Sequence, residues 1–351
     1  MPWALIAPVN YNAMDYYVCE EPGKFLKKTK DYPQKNNGEA LLKVKRVGIC
    51  GTDLHAFSGN QAFFTYPRIL GHELATEVIE VGANKEGIKA GDRVVIIPYI
   101  NCQNCAACDA GKSNCCQNIR VFGVHTDGGM QEVISLPTRL LIPANDLSYE
   151  EIAIVEPLAI GAHAVRRAGV KEGDTVVVVG CGPIGIGIIQ ICKYLKANVI
   201  ALDVNDHRLN VVKKHFGADH AINVMSDPVE AVKEYTNGRL AQVVFDATGN
   251  KRAIESGTDY MSHGGSYVLV GLFKEDLTFT HTKIHAKETS LLCSRNATQE
   301  DFRFVMKMLE EKAFNTNAYI TSNVPSDSIL TDFSKWASSE SLDIKVVTSF
   351  E

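Results

Sequence analysis

The run VVVVGCGPIGIGIIQIC, from Val176 to Cys192, constrains the possible folds of this chain more than any other segment. It carries no charge and approaches the length of a membrane span, but a glycine-rich break containing a proline interrupts it early. A buried parallel strand turning into a buried helix has the same apolar count. Gly180-Cys181-Gly182-Pro183-Ile184-Gly185 is a GxGxxG placed where such a strand would meet such a helix. In that setting Gly180 permits a tight turn, Gly182 lets the backbone approach a pyrophosphate, and Gly185 allows close helix packing. The helix N-terminus that follows, with Pro183 and Ile184 on the same turn, offers free N–H groups to phosphate.

The flanking sequence repeats this grammar. NVIALD, HRLNVVKKHFGAD, HAINV, AQVVFDATG, AIESGTDYM and GSYVLVG alternate strand-like and helix-like segments, which predicts βαβ units and a doubly wound parallel (Rossmann) sheet over residues 152–293. Asp203 closes NVIALD 23 residues after Gly180, where a carboxylate can bind both ribose hydroxyls and repel a 2′-phosphate, so NAD is expected rather than NADP. Arg208 is expected over the adenosine end, the alternative being a plain surface charge. Gly271 and Leu272, just past GSYVLV, complete the expected cofactor-binding set.

The first 150 residues read differently. EALLKVKRVGI, LATEVIEVG, DRVVIIPYI and MQEVISLP are short β-like runs among Gly and Pro, which predicts a compact, mostly antiparallel region with long loops. The regular alternation ends near Ser290, and DFRFVMKMLEEKAF reads as an amphipathic helix. At 351 residues two domains are expected. Charged residues are 22% and the net charge is −5, so nucleic acid is not an expected partner; the basic runs KFLKK and VVKKH read as solvated faces. MPWALIAPVN lacks the features of a signal peptide, so a cytoplasmic protein with reduced thiols is expected.

Reduced thiols make NCQNCAACDAGKSNCC informative. Cys102, Cys105, Cys108 and Cys116 stand at C-x2-C-x2-C-x7-C, a spacing that can fold four thiolates around one tetrahedral zinc and close its coordination sphere. An iron–sulfur cluster is the rival, but its next cysteine would follow after three residues and precede a proline. Cys115 competes with Cys116 for the fourth place. A closed cage of this kind is structural. His281 and His285 stand four apart in HTKIHAK, but the stretch lacks helix periodicity, so no helical metal pair is expected there.

GICGTDLH at 48–55, GHE followed by the Val81-Gly82 turn, GDRV at 91–94, the four-cysteine loop and the GxGxxG occur in one order. Together they resemble the zinc-containing medium-chain alcohol dehydrogenases over nearly the whole chain. Glu156 in VEPLA resembles the polyol branch, which includes sorbitol and threonine dehydrogenases. VFGVHTDGG and SRNAT resemble the sugar-acid 5-dehydrogenases that oxidise L-galactonate or L-gulonate. Thr76 departs from the family's GHExxG and is expected in a strand, where it bears on packing.

The resemblance implies a GroES-like catalytic domain over 1–151 and 294–351 beside the NAD-binding domain, and two zinc ions per chain. It implies Cys50, His72 and Glu156 as catalytic-zinc ligands, with Glu73 an occasional or outer ligand. Taken singly, each has a plainer reading: a buried cysteine, a loop histidine, an acid at a helix start. It further implies that zinc polarises a secondary alcohol of a polyol or sugar acid, that hydride passes to NAD, and that Thr52 and His55 relay the proton. Arg295, with Asn296 beside it, is implied to contact substrate; a guanidinium suits a carboxylate, and a salt bridge is the alternative. Sorbitol or L-threonine oxidation is the alternative activity, and a non-catalytic zinc-stabilised binding protein the alternative class. A homodimer or homotetramer, with no membrane partner, is the family expectation.

Overall fold

The computed structural model describes residues 13–61, 64–338 and 340–350. The opening decapeptide read for a signal sequence lies outside them. The segment Val176–Cys192 resolves as expected into a strand, Thr175–Val179, and a helix, Pro183–Tyr194. Among the described residues no helix is long and apolar enough to cross a membrane.

Six strands form one parallel sheet in the order His220–Asn223, Asn198–Asp203, Thr175–Val179, Ala241–Asp246, Met261–Leu269, Ser290–Cys293. The order reverses at Thr175–Val179, so the crevice at its C-terminal end is where a dinucleotide is expected. The strand buries both faces. Val176 and Val178 join a core with the helices Val155–Ala168 and Pro183–Tyr194, while Val177 and Val179 join Ile200, Leu202, Val244 and Tyr267 on the other side. Period-2 alternation explains the split, and burial on both faces explains why four valines follow Thr175 without a polar residue. The sheet's last strand, Ser290–Cys293, ends at the residue where the expected span of the parallel sheet ends.

A second, seven-stranded sheet runs Leu141–Pro143, Arg93–Ile96, Glu73–Val81, Glu39–Gly48, Lys345–Ser349, Ile320–Pro325, with Val133–Pro137 also on Glu39–Gly48. All its pairs are antiparallel except the last two strands of the path, which are parallel. The carboxyl-terminal strand therefore sits inside the sheet built by the first 150 residues. A smaller sheet pairs Ala13–Glu21 with Lys24–Asp31 and Arg68–Ile69. KFLKK lies in Lys24–Asp31, where Lys24 and Lys27 are exposed and Lys28 is half-buried.

Thr76 is a fully buried strand residue whose hydroxyl donates to Val94 O at 3.3 Å. The hydroxyl is thus paired inside the sheet, and the departure from glycine is a packing matter. One expectation is corrected: His281–Ala286 does form a helix. Its six residues are too few to show an apolar period, which is why the pattern hid it. The two imidazoles lie 5.6 Å apart, yet among the described residues they join no group of three metal-capable side chains.

Candidate metal and cofactor sites

Cys50 is the N-cap of the helix Gly51–Phe57, and Asp53 accepts the Cys50 N–H at 2.9 Å to close a capping box. Ile49 donates to Val346 O, so the carboxyl-terminal strand fixes where this helix begins. Gly71 and His72 lead into the neighbouring strand Glu73–Val81. The result is a group in which Cys50 Sγ, an imidazole nitrogen of His72 and a carboxylate oxygen of Glu73 lie within 4.8 Å of one another.

The donor set fits a metal cation. Nδ1 of His72 is buried without a hydrogen-bond partner among the described residues, 3.8 Å from Asp53 Oδ1. A buried imidazole nitrogen facing a carboxylate is the usual arrangement behind a metal-bound histidine. Burial opposes a charge on His72, but Cys50 and Asp53, then Glu156, raise its pKa well above the ordinary value. The pocket thus gathers negative charge around one point, as a divalent cation requires.

Glu156 stands in the first turn of Val155–Ala168, with Pro157 beside it. It is buried, its charge reaches His72, and it accepts a hydrogen bond from the Tyr99 hydroxyl. It borders the tight group, whereas Glu73 is a member of it. Both oxygens of Glu73 are held by Lys345 Nζ, at 2.8 and 2.7 Å, and Lys345 also donates to Ile49 O. Asp53, Tyr99, Lys345 and Tyr319, whose buried phenol lies within electrostatic reach of Glu73, Cys50 and Glu156, were not anticipated. Asp53 had the best signal, standing three residues after Cys50; the other three come from remote segments.

The cysteine loop closes on itself. Sγ atoms of Cys105 and Cys108 are 3.6 Å apart and those of Cys102 and Cys116 3.4 Å. A tetrahedron with zinc–sulfur bonds of about 2.3 Å has edges of about 3.8 Å, so the cage is the right size. Cys116 joins the group, while Cys115 is exposed outside it. The Cys102 N–H donates to Cys116 Sγ and Asn101 Nδ2 to Cys108 Sγ. N–H groups of Gln117 and Cys108 hold the Cys105 thiol down to about 6, as suits a thiolate ligand.

At the cofactor crevice, Gly180 has φ +96°, and a Cβ there would lie 2.9 Å from Thr248 Cγ2. A Cβ at Gly185 would fall 1.8 Å from Gly180 O, so strand and helix could not approach. Gly182 N-caps the helix with open space where a Cβ would point, and Pro183 occupies its first turn. Asp203 accepts from the N–H groups of Cys181, at 2.6 Å, and Asn205, at 2.9 Å. The charge of Arg208 reaches Cys181, so Arg208 flanks the same turn. Gly271 donates to Asp246 O, and exposed Leu272 follows it at the same strand ends. A dinucleotide fits this cradle: an open glycine turn, a helix N-terminus and one acid at the neighbouring strand end.

Thr52 and exposed His55 stand on the helix that Cys50 caps. Arg295 is exposed, and its carbonyl accepts from Asn114 Nδ2 at 3.0 Å; Asn296, at φ +53°, donates from Nδ2 to Asn114 O. Asn114 belongs to the cysteine loop and also donates to His163 Nε2 at 3.1 Å. His163 Nδ1–H in turn donates to Asp301 Oδ2 at 2.9 Å. The cysteine cage therefore braces the segment that carries Arg295.

This fold and these two donor groups define a zinc-dependent oxidoreductase with a dinucleotide domain. A family model described as zinc-binding dehydrogenase matches residues 183–311, and one described as alcohol dehydrogenase GroES-like domain matches residues 36–146. The chain belongs to the zinc-binding alcohol dehydrogenase family. L-galactonate-5-dehydrogenase of Escherichia coli K12 is 41% identical over 318 residues, 90% of this chain and 92% of that protein. Sorbitol dehydrogenase of Bacillus subtilis is 36% identical over 248 residues, covering 68% of this chain and 70% of its own. The solved alcohol dehydrogenase rspB of E. coli CFT073, in complex with NADH, superposes with a TM-score of 0.90 at 30% identity, over 97% of this chain and all of that one.

Proposed function

We propose that the protein oxidises a secondary hydroxyl of a polyol or sugar acid with NAD, L-galactonate or L-gulonate being the best-supported substrates. The observation that carries this reading is the meeting of Cys50, His72 and Glu73 within 4.8 Å, with the buried Glu156 within electrostatic reach of His72 and Glu73. The relationship to L-galactonate-5-dehydrogenase supports the substrate class. When bound, zinc supplies Lewis acidity toward the alcohol and NAD accepts the hydride.

The chain's own residues divide the remaining work. Cys50, His72 and Glu156 hold the catalytic metal, with Asp53 orienting the imidazole and Glu73 held in reserve by Lys345. Cys102, Cys105, Cys108 and Cys116 hold the structural one. Asp203 takes the ribose hydroxyls and the Gly180–Gly185 turn the pyrophosphate. Thr52 and His55 carry the released proton outward from Cys50 along one short helix. The catalytic and cofactor units divide at 151/152 and 293/294. We place the enzyme in the cytoplasm as a homodimer or homotetramer.

The test is NADH formation with L-galactonate, L-gulonate, L-idonate, sorbitol, galactitol and L-threonine, alongside metal analysis. Two zinc ions per chain and turnover within the panel are expected, with Cys50→Ser abolishing turnover while the fold persists. Activity retained after loss of the Cys50-site metal would overturn the mechanism.

A further inference from the structure

The two carboxylates at the catalytic metal group are held in different ways. Glu73 is fully buried, and both its oxygens accept from Lys345 Nζ. To bind an ion it would have to release this ammonium and leave Lys345 charged and unpaired in the interior, which is strongly unfavourable. Glu156 has a neutral partner instead. Its Oε1 accepts from the Tyr99 hydroxyl, and among the described residues no hydrogen bond engages its Oε2. Val155 and Ala159, on either side of Glu156 in its helix, share one buried core with Tyr99 and with Ala75 of the strand Glu73–Val81.

Tyr99 is placed with little freedom. The strand Tyr99–Ile100 pairs antiparallel with Arg120–Val121, Tyr99 opposite Val121, and Phe122 N donates to Pro98 O at 2.9 Å. These two strands form the neck of the loop that carries Cys102 to Cys116, so the backbone at Tyr99 is fastened across that loop. The ring is buried and meets Phe302 edge-on, with centroids 6.2 Å apart. A buried phenol needs a partner for its hydroxyl. An ionised carboxylate can only accept, so the hydroxyl is the donor. The one polar atom of this side chain is therefore aimed at one oxygen of Glu156.

This bond bears on coordination. A carboxylate with both oxygens free can chelate an ion and fill two places, whereas one with an oxygen engaged offers a single place. Catalytic zinc takes three protein ligands and keeps a fourth position for water or substrate. Hydrogen bonds to ligating carboxylates orient them as the partners of ligating histidines orient the rings.

We propose that Tyr99 is a positioning residue of the catalytic metal site. Its hydroxyl occupies Glu156 Oε1, so the carboxylate meets the ion through Oε2 alone and the position for the alcohol stays open. The inference rests on the reading that Cys50, His72 and Glu156 hold this ion, and it adds the residue that limits how one of them binds.

The test uses the full-length enzyme with cobalt in place of zinc at the catalytic site and zinc kept in the cysteine cage. Cobalt absorbs strongly in the visible when four-coordinate and weakly when its coordination number rises. Tyr99→Phe removes one hydroxyl and keeps the ring against Phe302. Without substrate present, it is expected to lose most of the four-coordinate band. In the zinc enzyme kcat should fall roughly 10- to 100-fold, the usual cost of removing a group that orients a metal ligand. The dissociation constant for NADH, read by fluorescence titration, and the zinc of the cage should be unchanged, which separates positioning from a general loosening of the fold. Glu156→Ala should also alter the cobalt band. A wild-type band in Tyr99→Phe, with Glu156→Ala changing it, would overturn the role of Tyr99 alone. A band that Glu156→Ala leaves as it was would overturn the ligand reading on which the inference rests.

Discussion

Lys345 Nζ lies 2.8 and 2.7 Å from the two carboxylate oxygens of Glu73, and both residues are buried. A lysine from the end of the chain thus neutralises an acid next to the candidate catalytic histidine. Removing one partner leaves the other charged and unpaired in the interior, which costs about 3–5 kcal/mol. Lys345→Met and Glu73→Leu should each lose roughly that much in denaturant unfolding, and the double variant should lose less than the two losses added. Additive losses would show that the pair is not coupled.

The cysteine cage should be separable from the catalytic metal. Cys105→Ser is expected to bind one zinc per chain where the wild type binds two, as metal analysis would show. Because Asn114 of the same loop holds Arg295 O, the variant should also raise KM for substrate more than it lowers kcat. A variant that kept both zinc ions would contradict the four-cysteine assignment.

Asp203 spends its two oxygens on the N–H groups of Cys181 and Asn205, and the proposed function assigns its charge to the ribose hydroxyls. Asp203→Asn keeps the shape and removes the charge. KM for NAD should rise roughly 10- to 100-fold while NADP becomes relatively better used, measured with one substrate and both cofactors.

Asp301 gives the pH dependence a sign. Burial opposes its charge, but hydrogen bonds from His163, Arg166 and Thr298 outweigh burial and hold its carboxyl far below the usual carboxylate range. The folded pKa lies below the unfolded value of about 3.9, so the stabilisation is complete above that value. It is lost as pH falls toward the folded pKa. Asp301→Asn should cost roughly 1.5–3 kcal/mol near neutrality and flatten the acid limb of a stability–pH curve. An unchanged acid limb would sink this account.

What could be read from the chain was whatever its neighbours in sequence determine. The glycine turn, the parallel strand before it and the cysteine spacing each fit within about twenty residues, so their physics is local. Cys50, His72 and Glu156 needed a family resemblance, because no spacing rule connects strands and helices a hundred residues apart. Tyr99 on Glu156 and Lys345 on Glu73 escaped altogether: a tyrosine and a lysine in β-like runs look like ordinary strand residues until the sheet order is known. The helix His281–Ala286 escaped for the opposite reason, being too short to show a period.

The strand Lys345–Ser349 lies between Glu39–Gly48 and Ile320–Pro325. During synthesis, the sheet that shapes the metal pocket has a gap until residues 345–349, which follow all its other strands, have been made. The parallel sheet, all of whose strands precede residue 294, has no such wait and can settle first. Glu73 meanwhile stays without its counter-charge, so metal capture and final closure of the catalytic half are late events in the life of each new molecule.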